Sequence, residues 1–519
     1  MTVQNPLARR RQAAADLAAG TRGLPADDPV VAAQRVVAVA DPEGALPRCG
    51  MRSVRIGSFD WSAVTDAVTE MLGEDAATGS GESRPVVGLL MDRTPIRRHA
   101  VPIKPVIRRT LAERFDVREI VLDDGHPELH ASEPVLDQAR ERAQGVDAVV
   151  SIGGGTITDI GKVASAAVGV PLVVVQTAAS VDGFTDDVSV LLRNGVKRTT
   201  PSRWPDIVLA DVDTVHGAPR AMNVAGFGEL TSMFTAPADW LLASLVGTDT
   251  SFHPAPIEVL AEAGRDVAVW SGELGESPDA TGRLARALAV RGIATGISGG
   301  TACLSGVEHL VSHMLDMSNG AAHRPIGLHG EQVGAAGVVG ASAWQLLFDR
   351  LQTADRAALE GLAERLRSAP LSASRDTVLA AFADVDPTGA IGAECWSDYG
   401  RKAAALDGLR DNLAALITDW PAAAARLRPL IWTPDALATA LTAAGATARL
   451  TDVRSVVDAD HATWAVTNCA YMRNRFTVVD LLIALGWWEP ADVAAVLAAA
   501  DRTVAAAQAS DREVSGAAR

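Results

Sequence analysis

A chain of 519 residues is too long for one ordinary hydrophobic core, and about two to three domains are expected. With 48% hydrophobic and 21% charged residues it reads as soluble and globular, and a formal net charge of -16 excludes a broad nucleic-acid or anionic-membrane surface, which demands clustered Lys and Arg. Cys49, Cys303, Cys395 and Cys469 lie far apart without CxxC spacing, which excludes a disulfide framework and a Cys-type zinc site and points to a reducing, cytoplasmic setting.

Residues 1–50 are expected as an N-terminal extension that covers another surface or is partly disordered. They lack the apolar core of a signal peptide, and no apolar run in the chain reaches the roughly 18 residues that span a bilayer. A helix is predicted over 61–72 and a Gly, Ser and Pro loop over 76–85. Short apolar strands at 86–91, 119–122 and 148–152 then alternate with helices at 104–115 and 133–144. Further buried strands are predicted at 172–175 and 207–210, and an Asn194-Gly195 turn between them marks a hairpin. Such alternation implies parallel βαβ units with both sheet faces covered. After about residue 219, Ala- and Leu-rich stretches with helical period dominate, at 283–294, 334–351, 357–367, 434–444 and 491–507. The second half is therefore read as helical, with Trp487 and Trp488 packed inside it.

Three stretches carry candidate chemistry. The run Ser151-Ile152-Gly153-Gly154-Gly155-Thr156-Ile157-Thr158-Asp159 follows a strand and opens a helix. Glycines permit close backbone approach, and the amides at a helix start favour a pyrophosphate; a plain tight turn is the alternative. Asp92, just past the strand at 86–91, suits a ribose hydroxyl, while the adjacent Arg93 suits a 2′-phosphate, so NAD and NADP both stay open. Past the strand at 172–175, Thr177, Ser180 and Asp182 place hydroxyls and one carboxylate at a strand's C-terminal edge, where open α/β sheets bind ligands.

The third stretch, 305–334, gathers imidazoles. His309 and His313 are four apart on one face of a predicted helix, and His329 follows in Leu328-His329-Gly330. Two imidazoles and a carboxylate form a metal site that leaves coordination positions open, and Glu229, in Ala225-Gly226-Phe227-Gly228-Glu229-Leu230, can supply the carboxylate. A solvated helical His pair and a Glu that favours the helix dipole are the alternatives.

In order and spacing these pieces resemble the sn-glycerol-1-phosphate dehydrogenase family, within the iron-type alcohol dehydrogenase, glycerol dehydrogenase and dehydroquinate synthase-like group. The pieces are Asp92-Arg93-Thr94, GGGTITDIGK, TAASVDGFT, IVLADVDTV, AGFGEL, the SGVEH and LVSHMLDM run, LHG, and Arg473-Asn474-Arg475-Phe476-Thr477. The resemblance implies a dehydroquinate synthase-like architecture: a Rossmann-like α/β dinucleotide-binding domain over 51–218 and an all-α metal-binding domain over 219–519, with substrate and metal in the cleft. It implies that Gly153, Gly154 and Gly155, with Thr156, Asp159 and Asp92, hold NAD or NADP, and that Thr177 and Ser180 line the nicotinamide side. Asp182 would face substrate hydroxyls, and His313 would serve as a proton-relay group. Glu229, His309 and His329 would hold one divalent metal: zinc, nickel or iron.

The implied activity is reduction of dihydroxyacetone phosphate or a related phosphorylated ketone by a homodimer or higher homo-oligomer, with no nucleic-acid partner and no membrane span. Glu229 departs from the pattern, since the family's dehydrogenases place Asp there and the dehydroquinate synthases Glu. A sugar-phosphate cyclase, or altered polyol chemistry, is therefore the second reading, and a silent interaction protein on the same fold is the third.

Overall fold

The computed structural model describes residues 28–74, 84–126, 128–193, 196–455 and 457–517. Residues 1–27, most of the expected loop at 76–85 and the expected Asn194-Gly195 turn lie outside them. The chain forms two compact units. One takes in the described residues up to Gly226 together with Pro254–Asp266 and Glu273–Gly300; the other takes in Phe227–His253, Val267–Gly272 and the described residues from Thr301 onward.

The first unit is built on strands β1 (Ser53–Gly57), β2 (Val86–Met91), β3 (Arg97–Arg98), β4 (Val101–Pro102), β5 (Asp116–Val121), β6 (Ala148–Gly153), β7 (Leu172–Gln176), β8 (Val188–Arg193), β9 (Val196–Pro201) and β10 (Ile207–Asp211). Six of them form one parallel sheet in the order β1-β10-β7-β6-β2-β5, while β3–β4 and β8–β9 are separate antiparallel pairs. Alternate residues of the central strands, among them Val87, Leu89, Val150, Ile152, Val173 and Leu209, form one core with helices Ser62–Leu72 and Ile103–Ala112. Helix Gly155–Val168 covers the other face so closely that a Cβ added to Gly161 would stand 3.1 Å from the Ser151 Cβ. Burial on both faces explains the near-continuous apolar runs of β6, β7 and β10.

Within the expected extension, Pro29–Ala40 is a helix that packs against helices Pro254–Ala263 and Pro278–Ile297. Its N-cap, Asp28, accepts the Val30 amide at 2.8 Å and the Val54 amide of β1 at 3.1 Å, which fastens this helix to the sheet edge.

The second unit is helical. Its longest inner helix, His329–Gln352, is buried over most of its length and lies against Val307–Ala321. A Cβ added to Gly228 would overlap the Gly330 carbonyl, so the end of helix Arg220–Leu230 meets the start of His329–Gln352 backbone to backbone. Such an approach admits only glycine, and it sets Glu229 beside His329. Trp488 is buried and Trp487 half-buried. Among the described residues no helix is long and apolar enough to cross a membrane.

Candidate functional site

Helices Arg220–Leu230, Val307–Ala321 and His329–Gln352 each contribute one donor to a cluster in the second unit. The ligating atoms of Glu229, His309 and His329 all lie within 4.8 Å of one another. Nε2 of His309 is 3.3 Å from Glu229 Oε1, and Nε2 of His329 is 3.6 Å from Glu229 Oε2. Each Glu229 oxygen thus faces one imidazole.

The ring nitrogens away from Glu229 are both engaged. His309 Nδ1 lies 3.0 Å from Glu308 Oε1, which accepts a hydrogen bond from it and also accepts the Gly306 amide at 2.7 Å; Glu308 Oε2 accepts the Thr235 hydroxyl at 3.0 Å. On the other ring, Ser312 Oγ donates to Gln332 Oε1 at 2.7 Å and so has only a lone pair to offer His329 Nδ1, 3.0 Å away. Both imidazoles are thus anchored through Nδ1 and turn Nε2 toward Glu229, so that Nε2 is the atom each would offer a metal on losing its proton.

Burial by itself lowers the His309 pKa, but the Glu229 charge and hydrogen bonds to Glu229 and Glu308 outweigh it and hold the group up to about 9. The field at this point favours positive charge. One carboxylate and two oriented imidazoles, fewer than a closed structural site uses, fit a catalytic divalent ion of the zinc, nickel or iron type. His313 does not join the cluster, but its ring stacks on that of His329 at 5.5 Å.

Asp239, fully buried, fastens the start of helix Val307–Ala321 by accepting the Val307 amide at 3.1 Å, and it accepts the Val478 amide at 2.8 Å. Burial, and then the nearby Glu308 charge, push its carboxyl well above the usual range.

In the first unit, β6 ends at Gly153, and Gly154 caps helix Gly155–Val168. A Cβ at Gly153 would stand 2.7 Å from Ile157, and one at Gly155 would stand 2.9 Å from Val181, so packing accounts for both glycines. Gly154 is different. Its φ of -84° and ψ of -166° suit any residue, and an added Cβ would meet nothing nearer than Met222 Cε at 3.9 Å. The space before the helix start is open, and a Cβ would fill it. The first amides of a helix have no intrahelical partner, and with this space open they suit a pyrophosphate.

Thr156 is exposed on the first helical turn, and the Thr177 amide donates to Gly153 O at 3.2 Å. Asp92, at the end of β2, is one strand over from Gly153, because Met91 pairs with Ile152. Ser180 is half-buried on the loop after β7. The structure places Asp159 one turn into the helix, where it accepts the Val190 amide at 3.1 Å and lies 3.8 Å from the buried Lys162 ammonium. Lys162 also bonds Asp186 and the carbonyls of Gly183 and Val188. Burial, only partly opposed by Lys162, lifts Asp159 to about 7 and Asp186 to about 6.

Asp182 Oδ2 lies 3.6 Å from Nε of Arg291, a fully buried cation on helix Pro278–Ile297. Sequence reasoning missed Arg291, Glu308, Ser312 and Gln332. The signal was there for each: a polar side chain at an otherwise apolar helical position.

A profile of the iron-containing alcohol dehydrogenases matches residues 80–219. A glycerol-1-phosphate dehydrogenase (NAD(P)+) of Pyrococcus abyssi is 30% identical over 254 residues, which is 48% of this chain and 70% of that protein. The chain belongs to the glycerol-1-phosphate dehydrogenase family, within the iron-containing alcohol dehydrogenase group. The relative of the same name from Pyrococcus horikoshii is 31% identical over 236 residues; that match covers 45% of this chain and 65% of the relative's length. The chain thus spans about two thirds of the family members it resembles. A glycerol dehydrogenase from Schizosaccharomyces pombe shares the fold, with a TM-score of 0.51 at 15% identity over 89% of this chain and 91% of that one.

Proposed function

We propose that this family member is a metal-dependent oxidoreductase that uses NAD(P)H to reduce dihydroxyacetone phosphate or a related phosphorylated ketone. The observation that carries the reading is the convergence of Glu229, His309 and His329 with both Nε2 atoms turned inward. The substrate class rests on the relatives' names.

Glu229, His309 and His329 would hold the divalent ion, whose contribution would be Lewis-acid polarisation of the ketone oxygen, and a bound nicotinamide would supply the hydride. The chain's own residues do the rest. Glu229 contributes the negative charge that retains the ion, and Glu308 and Ser312 fix the two rings. Asp182, beside Arg291, accepts a substrate hydroxyl. The His313 imidazole delivers the proton that the new hydroxyl requires. In the first unit, the amides opening helix Gly155–Val168 hold the pyrophosphate over Gly154.

The test is metal analysis of the purified chain, joined to an NAD(P)H-oxidation assay over a panel of phosphorylated ketones. Stoichiometric metal and net NAD(P)H consumption are expected. Conversion of a heptulosonate or sedoheptulose phosphate with phosphate release and no net change in NAD(P)H would overturn the reading in favour of a dehydroquinate synthase-type cyclase, the chemistry in which Glu at 229 is usual.

A further inference from the structure

The stretch Arg473-Asn474-Arg475-Phe476-Thr477 supplies no donor to the cluster of Glu229, His309 and His329, and none of the chemistry above uses it. In the second unit it meets residues 301–307, the chain that leads into helix Val307–Ala321. His309 stands on the first turn of that helix, so the lead-in decides where its ring is. Four side chains hold the lead-in. Asp239 Oδ2 accepts the Val307 amide at 3.1 Å, Glu308 Oε1 accepts the Gly306 amide at 2.7 Å, and Ser232, just past Glu229 in the chain, donates to Leu304 O at 2.9 Å. The fourth is Arg475, which donates to the Ser305 carbonyl and, at 3.1 Å, to the Thr301 hydroxyl oxygen.

We propose, on the metal reading above, that Arg475 is a positioning residue of the metal centre: its guanidinium fixes the lead-in and thereby sets Glu308 and His309 against Glu229. A guanidinium presents its N–H groups in a rigid fork, so one side chain engages a carbonyl and a hydroxyl together, and a flexible ammonium does not reproduce that geometry. Metal sites hold their ligand distances to within about 0.2 Å, so a lead-in free to drift degrades the site without removing a donor.

A brace works only if its own base is fixed, and that of Arg475 is. The buried Lys402 of helix Ala390–Asp407 donates to Arg475 O and Ala470 O, each at 2.8 Å, and pairs with Asp480 Oδ1 at 2.6 Å. Asp480 Oδ2 in turn accepts the Thr477 amide at 2.9 Å and the Thr477 hydroxyl at 3.1 Å. Asp239 joins the two ends, since its Oδ1 accepts the Val478 amide at 2.8 Å while its Oδ2 holds Val307. One carboxylate thus ties the helix that follows Arg475 to the helix that carries His309.

Titration of the full-length chain with Co2+ tests this, with affinity read by competition against a chelator and coordination geometry read from the visible absorption of the bound ion. Arg475→Gln should bind Co2+ about 10 to 100-fold more weakly than the wild type, the scale of losing a residue that orients a ligand, and its visible spectrum should change. Arg475→Lys, which keeps the charge without the fork, should fall between the two. Leu366→Ala opens a cavity under helix Arg356–Ser368 and removes no contact to the lead-in; it should lower the melting temperature and leave affinity and spectrum at wild-type values. Wild-type affinity and spectrum in Arg475→Gln would overturn the proposal while the metal site stands, as would the same result in Arg475→Lys should the Gln variant fail to fold. A Co2+ loss in Leu366→Ala equal to that in Arg475→Gln would overturn it too, because lost stability alone would then account for both. A folded wild-type chain that binds no Co2+ would overturn the metal reading and the proposal together.

Discussion

The proposed nucleotide cradle in the first unit is almost entirely backbone, made of a strand end, a turn and a helix start, with Gly154 leaving room where a side chain would stand. The metal-type cluster in the second is all side chain, made of three donors from three helices whose orientation depends on Glu308, Ser312 and Gln332 behind them. A backbone site fails at a glycine and tolerates most other changes around it. A side-chain site fails at each donor and again, more gently, at each residue that aims one.

The sharpest way to break this comparison is at adjacent glycines. Gly154→Val should lower NAD(P)H affinity by more than about 10²-fold, because the new side chain fills the cradle, yet leave the melting temperature nearly unchanged. Gly153→Val should behave in the opposite sense, with destabilisation dominating, because its side chain collides with Ile157. Equal loss of stability in both variants would mean that Gly154 is there for packing. Calorimetry beside a fluorescence titration distinguishes the two.

At the side-chain site, Glu308→Gln leaves the volume intact but replaces the anionic acceptor of the His309 Nδ1 proton. Metal affinity should fall by about 10 to 100-fold, the usual effect of losing such a partner, and Glu308→Asp should restore part of it. Competition against a chromophoric chelator reads this without reference to turnover. An unchanged affinity would remove Glu308 from the account.

Gly228→Ala probes the one place where the side-chain site depends on backbone approach. Overlap with the Gly330 carbonyl should destabilise the chain by about 1–3 kcal/mol and weaken metal binding with it. A variant with wild-type urea midpoint and metal affinity would show that the close approach is not needed.

The smallest expected effect is a pH dependence in the first unit. Asp159, lifted to about 7 chiefly by burial, keeps a proton in the folded chain that the unfolded chain releases near pH 4. Its contribution to stability is therefore fully present below about pH 4 and is lost as pH rises toward 7. Asp159→Asn should flatten the fall in urea midpoint between pH 5 and pH 8 relative to the wild type. A slope identical in the two proteins would contradict the buried, protonated state.

How far each region was legible follows from the same contrast. The strands at 86–91, 148–152, 172–175 and 207–210 were readable because burial on both faces leaves continuous apolar runs. Strand β1, with Ser53 before and Arg55 between its apolar residues, lies at the sheet edge and carries no such run; β5 was read only from Glu119 because its first half is mostly exposed. The glycine turn was visible as a motif, but only the structure separates Gly154 from its neighbours, since the three differ in what surrounds them and not in type. Glu229, His309 and His329 were expected together from their motifs. Glu308, Ser312, Gln332 and Arg291 show in the sequence only as polar side chains on helices, and the group each engages, which for Glu308 is the adjacent His309, appears only in the fold.

The central claim is that Glu229, His309 and His329 hold one divalent ion. Its most direct test is the metal content of wild-type and His309→Ala chains after loading and exhaustive dialysis, measured by elemental analysis on protein of verified fold. The account predicts about one ion per wild-type chain and near-complete loss in His309→Ala, where one of three donors is gone. Full stoichiometric metal in His309→Ala, at wild-type affinity, would contradict it.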